Sequence, residues 1–101
     1  MSESNHNLAV QLWAVGDEVR LKILACLPFS EDCKHRNNVT EISERLGISQ
    51  PTVSHHLRVL RQAGIVNRSK MCRDCFYWIN QEEGEKILEE LKKVITSPDS
   101  E

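Results

Sequence analysis

Several things are missing from this 101-residue chain. No apolar run approaches the roughly 18 residues needed to span a bilayer, which excludes a membrane helix, and no membrane partner is expected. Met1 to Asn7 is polar and carries no signal-peptide core, so the expected compartment is the cytoplasm. There, four cysteines are expected as thiols or metal ligands rather than structural disulfides. No Ser/His/Asp set, phosphate-binding loop or paired-carboxylate constellation is evident, and no catalytic residue is assigned. The chain has no internal repeat or linker, and its length suits one domain. It also lacks a basic surplus: the net charge is −2.

The distribution of charge is more informative than its sum. Ser49 to Arg73 holds Arg58, Arg61, Arg68, Lys70 and Arg73 and no acid, whereas Gln81 to Glu101 holds seven acids and three lysines. Affinity for phosphate depends on the local face, not on the total. The acidic end is expected to point away from any nucleic acid.

The pattern of apolar residues predicts the order helix, helix, helix-turn-helix, β-hairpin, helix. Residues 1–6 and 97–101 are expected as flexible tails around a domain at 7–96. A first helix runs from Asn7 to Val15, and Gly16 breaks it. Asp17 caps a second helix, Val19 to Leu27, apolar over much of its circumference at Leu21, Ile23, Leu24 and Leu27. Cys26 within it reads as a small buried hydrophobe. After Pro28 comes a polar loop to Asn38. Val39 reads as a very short strand, and Thr40 as the cap of a helix from Glu41 to Leu46. Gly47 supplies a turn, Ser49 caps the next helix to about Gln62, and Gly64 stands where a helix-terminating glycine belongs. Two helices joined by such a turn form a helix-turn-helix. Ile65–Ser69 and Cys75–Asn80 read as strands around a turn at Lys70–Asp74. Asn80 caps a last helix, Gln81 to Ile95. The fold class is mainly α with a small β-hairpin, a winged helix-turn-helix with extra N- and C-terminal dimerisation helices.

The run Ser49-Gln50-Pro51-Thr52-Val53-Ser54-His55-His56-Leu57, followed by Leu60-Arg61-Gln62-Ala63-Gly64-Ile65-Val66, resembles the recognition helix and wing entry of the ArsR/SmtB family of bacterial winged-helix repressors. Asp17-Glu18-Val19-Arg20 before an Ile-Leu-rich helix adds to the likeness, which spans Leu8 to Ile95. The resemblance implies a homodimer joined through the first and last helices, binding to double-stranded operator DNA, and repression released by a ligand or chemical signal. It does not carry over metal sensing. The family's Cys-x-Cys box would fall on Asn38 and Thr40, and no histidine follows His56 to furnish a site on the last helix.

Taking Val53 as inward and rotating about 100° per residue puts Leu57 and Leu60 on the same side and His55, Arg58 and Gln62 opposite. Recognition helices touch base edges chiefly through N-terminal residues. Gln50, Thr52, Ser54, His55 and Arg58 are therefore the groove-facing candidates, since Gln pairs with adenine and Ser or Thr with several bases. His56, partly inward, reads as a hydrogen-bonded packing residue. Arg68, Lys70 and Arg73 on the hairpin are candidates for phosphate contacts, which position without specifying sequence. The competing reading of each is a solvated surface residue.

Cys72-Arg73-Asp74-Cys75 is a C-x-x-C on the hairpin, with Cys72 where the family's turn has glycine. Cys33 and His35 lie in the loop after Pro28. These four have the ligand types of a zinc site, or a site for another thiophilic metal or metalloid. Two alternatives stay open: a redox switch that bridges on oxidation, and chemically silent thiols. Leu8, Leu12, Ile87, Leu91, Val94 and Ile95 are the candidate dimer interface, against the alternative that they fold onto their own core. Two rival functions remain. One is a winged-helix protein-interaction module without regulated DNA binding. The other is a thiol-disulfide enzyme, disfavoured because its C-x-x-C lacks the helix N-terminus that activates such thiols.

Overall fold

The computed structural model describes residues 3–32, 37–71 and 73–96. Among them the order is α1 (Glu3–Val15), α2 (Glu18–Cys26), α3 (Val39–Leu46), α4 (Gln50–Gln62), β1 (Val66–Met71), β2 (Asp74–Ile79) and α5 (Gln81–Thr96). This is the expected winged arrangement, with differences at the boundaries. Helix α1 begins at Glu3, ahead of the expected start at Asn7. Residues 97–101 lie outside the described part.

Local chemistry sets the ends. Asp17 caps α2 by accepting from the main-chain N–H groups of Val19 and Arg20 at 3.0 and 3.1 Å. The expected strand at Val39 is absent, and Thr40 is not a cap. Asn38 accepts from the Glu41 N–H at 2.8 Å instead, which starts α3 at Val39. Gly47 takes the left-handed conformation (φ 67°) that turns α3 toward α4. Helix α4 ends in a Schellman motif: Gly64 at φ 79° donates to Arg61 O, and Ile65 N–H reaches back to Leu60 O at 3.0 Å. Ile65 is thus part of a helix terminus rather than of the strand.

The hairpin is antiparallel, with Val66 opposite Ile79, Arg68 opposite Tyr77, and Met71 opposite Asp74. The strands run further toward the tip than expected, and Arg73 takes the strain of the turn at φ 69°. The other edge of β2 is not left open. Ile79 N–H donates to Pro28 O at 2.8 Å and Tyr77 N–H to Asn37 O at 3.1 Å. The flanks of the loop between α2 and α3 thus clasp the wing.

The core gathers Ile23, Ile42, Val53, Leu57 and Leu60, all fully buried, with Ile65 from the end of α4, Val66 and Tyr77 from the wing, and Leu8 and Ile87 from the outer helices. In α2 the expected inward Leu21 is 55% exposed, while Arg20 is 7% exposed. Its charge is tolerated because hydrogen bonds surround it. Cys26 is half-buried rather than enclosed.

Candidate nucleic-acid interface

Helix α4 keeps one face dry and one wet. Val53, Leu57 and Leu60 are fully buried, so the helix cannot roll without exposing them. That fixes the outer face: Gln50, Thr52, His55 and Arg58 are exposed, and Ser54 is half-buried on the flank. Pro51 sits in the first turn, where its missing N–H costs nothing. Ser49 caps α4 by conformation, its hydroxyl donating to Thr52 Oγ1 at 2.9 Å and accepting from no backbone N–H at the helix start.

The wing brings a second set of cations to the same side. Arg68, Lys70 and Arg73 are all exposed. Ser54, Arg58, Arg61, Arg68 and Tyr77 line a cavity of about 220 Å³. The recognition helix and β1 therefore share one basic cleft. Arg61 was not among the expected contacts. Its signal was available, since Ser54, Arg58 and Arg61 recur at i, i+4 and i+7 on one helix face. What was missing was the wing, whose place beside that face fixes Arg61 as part of the cleft. Gln50, Thr52 and His55 lie nearer the helix start, and Lys70 and Arg73 nearer the wing tip.

His56 sits behind this surface. Its Nδ1 accepts a hydrogen bond from Arg20 Nε at 3.1 Å, and its ring meets that of His55 edge-on at 5.2 Å. Burial, foremost, holds its pKa below the usual 6.5. Asp17 opposes this, and the neighbouring Arg20 and His55 add to the lowering. Asp17 is held below the usual carboxylate value, first by its hydrogen bond from the Arg20 N–H.

Of the four expected metal ligands, one falls among the described residues. Cys33, His35 and Cys72 lie outside the described residues, and Cys75 is a half-buried free thiol on β2. Among the described residues there is no group of three or more His, Cys, Asp or Glu that could hold a metal ion.

The six expected interface residues divide. Leu8 and Ile87 are 6% and 5% exposed, because both turn into their own protomer's core, and are corrected to core residues. Leu12 and Leu91 are half-buried. Val94 and Ile95 are 61% and 67% exposed. Trp13, Leu21, Phe29 and Leu88 are also large, apolar and exposed, and none is among the six expected interface residues. Leu21, Phe29 and Leu88 line a mostly apolar groove of about 410 Å³ between α2 and α5. No described helix is long and apolar enough to cross a membrane.

Comparison with known proteins agrees with this geometry. The profile of the family described as bacterial regulatory protein, arsR family, matches residues 17–68, from the α2 cap to the first half of the wing. The transcriptional activator HlyU of Vibrio cholerae is 34% identical over 94 residues, covering 93% of this chain and 82% of the relative. The biofilm growth-associated repressor of Agrobacterium fabrum is 28% identical over 99 residues, covering 98% and 80%. Among solved structures, an ArsR-like transcriptional regulator from Rhodococcus sp. RHA1 superposes with a TM-score of 0.79 at 25% identity, over 92% of this chain and 83% of that one.

Proposed function

The chain belongs to the arsR family of bacterial regulatory proteins, and on that premise we propose that it regulates transcription as a cytoplasmic homodimer, reading operator DNA through α4 and the wing. No catalytic step is part of this reading. One observation carries it: Arg58 and Arg61 of α4 and Arg68 of β1 converge on a single cleft in a stretch, Ser49 to Arg73, that holds no acid. Cations from two elements on one face bind phosphates in a fixed orientation. They leave Gln50, Thr52, Ser54 and His55 at the helix start to meet base edges. Membership of a regulator family favours DNA over the protein-interaction alternative. The relatives include both an activator and a repressor.

The dimer is read from the apolar side chains left outside. Trp13 on α1 and Leu88, Val94 and Ile95 on α5 are each more than 60% exposed, more apolar surface than a monomer of this size leaves to water without use. A two-fold interface there presents two α4 helices to half-sites about one helical turn apart, or a multiple of it.

The regulating signal is assigned to the thiols. Asn38 Nδ2 donates to Asp74 Oδ2 at 2.8 Å, tying the end of the loop that carries Cys33 and His35 to the C-x-x-C segment that ends in Cys75. Zinc or another thiophilic metal or metalloid suits those ligand types. Held there, it would fix the wing against the loop. Oxidation to a disulfide would act on the same segment.

The test is selection of duplexes from a random pool by the full chain, titrated with salt, with and without zinc, arsenite and a thiol oxidant. A selected pseudo-palindrome whose affinity falls steeply with salt is expected. Retention of no duplex, or retention without sequence preference, overturns the reading. Unchanged affinity under all three additions overturns the thiol assignment alone.

A further inference from the structure

We propose that Arg20 is a positioning residue for DNA reading: one buried guanidinium holds the end of α1 and the roll of α4 together, through Trp13, Ala14 and His56. The inference rests on the DNA-binding reading above.

Arg20 Nη1 donates to Trp13 O and Ala14 O, both at 3.2 Å. These are among the last carbonyls of α1, beyond the reach of the helix's own N–H groups; Trp13 O also accepts from the Gly16 N–H at 3.3 Å. A cation there also meets the negative end of the helix dipole. The guanidinium carbon stands 4.7 Å from the centre of the Trp13 ring. From the same group Nε donates to His56 Nδ1 at 3.1 Å. Planar, fixed donors make these four contacts interdependent: a shift of α1 that moves the guanidinium also moves the donor that meets His56 on α4. His56 adjoins exposed His55 on the reading face, and outer Trp13 belongs to the proposed dimer face. The guanidinium thus stands between the surface that meets a second copy and the surface that meets DNA.

The link requires a neutral His56. Nδ1 accepts only when the ring proton is on Nε2, and the imidazolium has no acceptor at all. The charged groups facing His56 are Asp17 and Arg20 from α2 and His55 from its own helix, while α1 presents to Arg20 only the Trp13 ring and two carbonyls. Protonation would set two cations against each other and free α4 from the link.

The experiment measures affinity for the selected duplex and for a random-sequence duplex, by fluorescence anisotropy between pH 5 and 8 at fixed salt. For the unaltered chain, the ratio of the two affinities is expected to fall as pH drops below 6.5. His56→Asn keeps an acceptor near the Nδ1 position without a titrating group and should flatten that fall. His56→Leu removes the acceptor and should lower the ratio roughly tenfold at every pH, comparable with one misread base pair. His6→Gln changes an exposed histidine on α1, outside the reading face, and should keep the fall. Histidine NMR of the free protein should show His56 neutral at pH 7 with its proton on Nε2. A normal ratio in a folded His56→Leu protein, or the unaltered pH fall in His56→Asn, overturns the proposal while leaving DNA binding intact. If the unaltered chain retains no duplex, the parent reading falls with it.

Discussion

Asn37 and Tyr77 hold each other by both ends of the backbone unit: Asn37 Nδ2 donates to Tyr77 O at 2.7 Å, and Tyr77 N–H donates to Asn37 O at 3.1 Å. The side chain thus mimics a strand and pairs with the outer edge of the wing. Its second proton goes to Asp32 O at 3.1 Å, so the loop folds back on itself at the same point. An open edge invites pairing with other chains, and here a loop covers it.

Replacing Asn37 by Ala should therefore destabilise the protein by about 1–3 kcal/mol, since Asn37 is fully buried and a buried carbonyl loses its donor. Urea unfolding monitored by circular dichroism measures it. Because the lost contacts bear on the wing, the variant should also lose affinity for DNA at temperatures where it remains folded. Unfolding at the unaltered denaturant midpoint would refute the role of this clasp.

Arg68→Ala should weaken binding to selected and random duplexes alike, and lower the slope of log affinity against log salt by about 1. Arg61→Ala should behave in the same way, because both line the cleft beside Ser54 and Arg58. An unchanged salt slope in both variants would place the DNA elsewhere on the molecule.

The order of elements was legible because each helix end carries its own local signal, Asp17, Gly47 and Gly64 among them. The outer face of α4 was legible because a 3.6-residue period needs only one inward residue to set it. What escaped depends on distant partners. Arg20 in an apolar helix looks like a surface charge until Trp13, Ala14 and His56 arrive from two other helices to receive its hydrogen bonds. Its burial turns the helix and puts Leu21 outside. Asn38 displaced Thr40 as the α3 cap although both are good capping types, and only the packed chain decides between adjacent choices. Leu8 and Ile87 carry the same apolar signal as Leu88 and Ile95. Periodicity marks an apolar stripe without saying which part meets its own core.

Protein stability should fall in mild acid through His56. Its folded pKa lies below 6.5, so as pH falls the unfolded chain takes up the proton first. The contribution of the neutral ring is complete above about 6.5 and is lost as pH drops through the folded value. Thermal melts of the unaltered chain and His56→Asn should diverge in this window and run parallel above it. Asp17 acts in a separate window: held below the usual 3.8, its contribution is present above that value and is lost at lower pH. Parallel melts from pH 7 down to 5 would contradict the assignment.

Leu88→Glu should convert the proposed dimer to a folded monomer. Leu88 is 67% exposed on the protomer, so a charge there costs nothing in the monomer and is buried only if a second copy covers it. Leu8→Ala, by contrast, removes a side chain from the protomer's own core and should cost about 2–5 kcal/mol of unfolding stability. Sedimentation velocity together with circular dichroism separates the two: Leu88→Glu should shift mass with little change in fold, Leu8→Ala should shift the melt. The monomer should also lose DNA affinity, because only a dimer places two α4 helices at a fixed spacing. A dimer that survives Leu88→Glu at micromolar concentration would move the interface off the exposed face of α5.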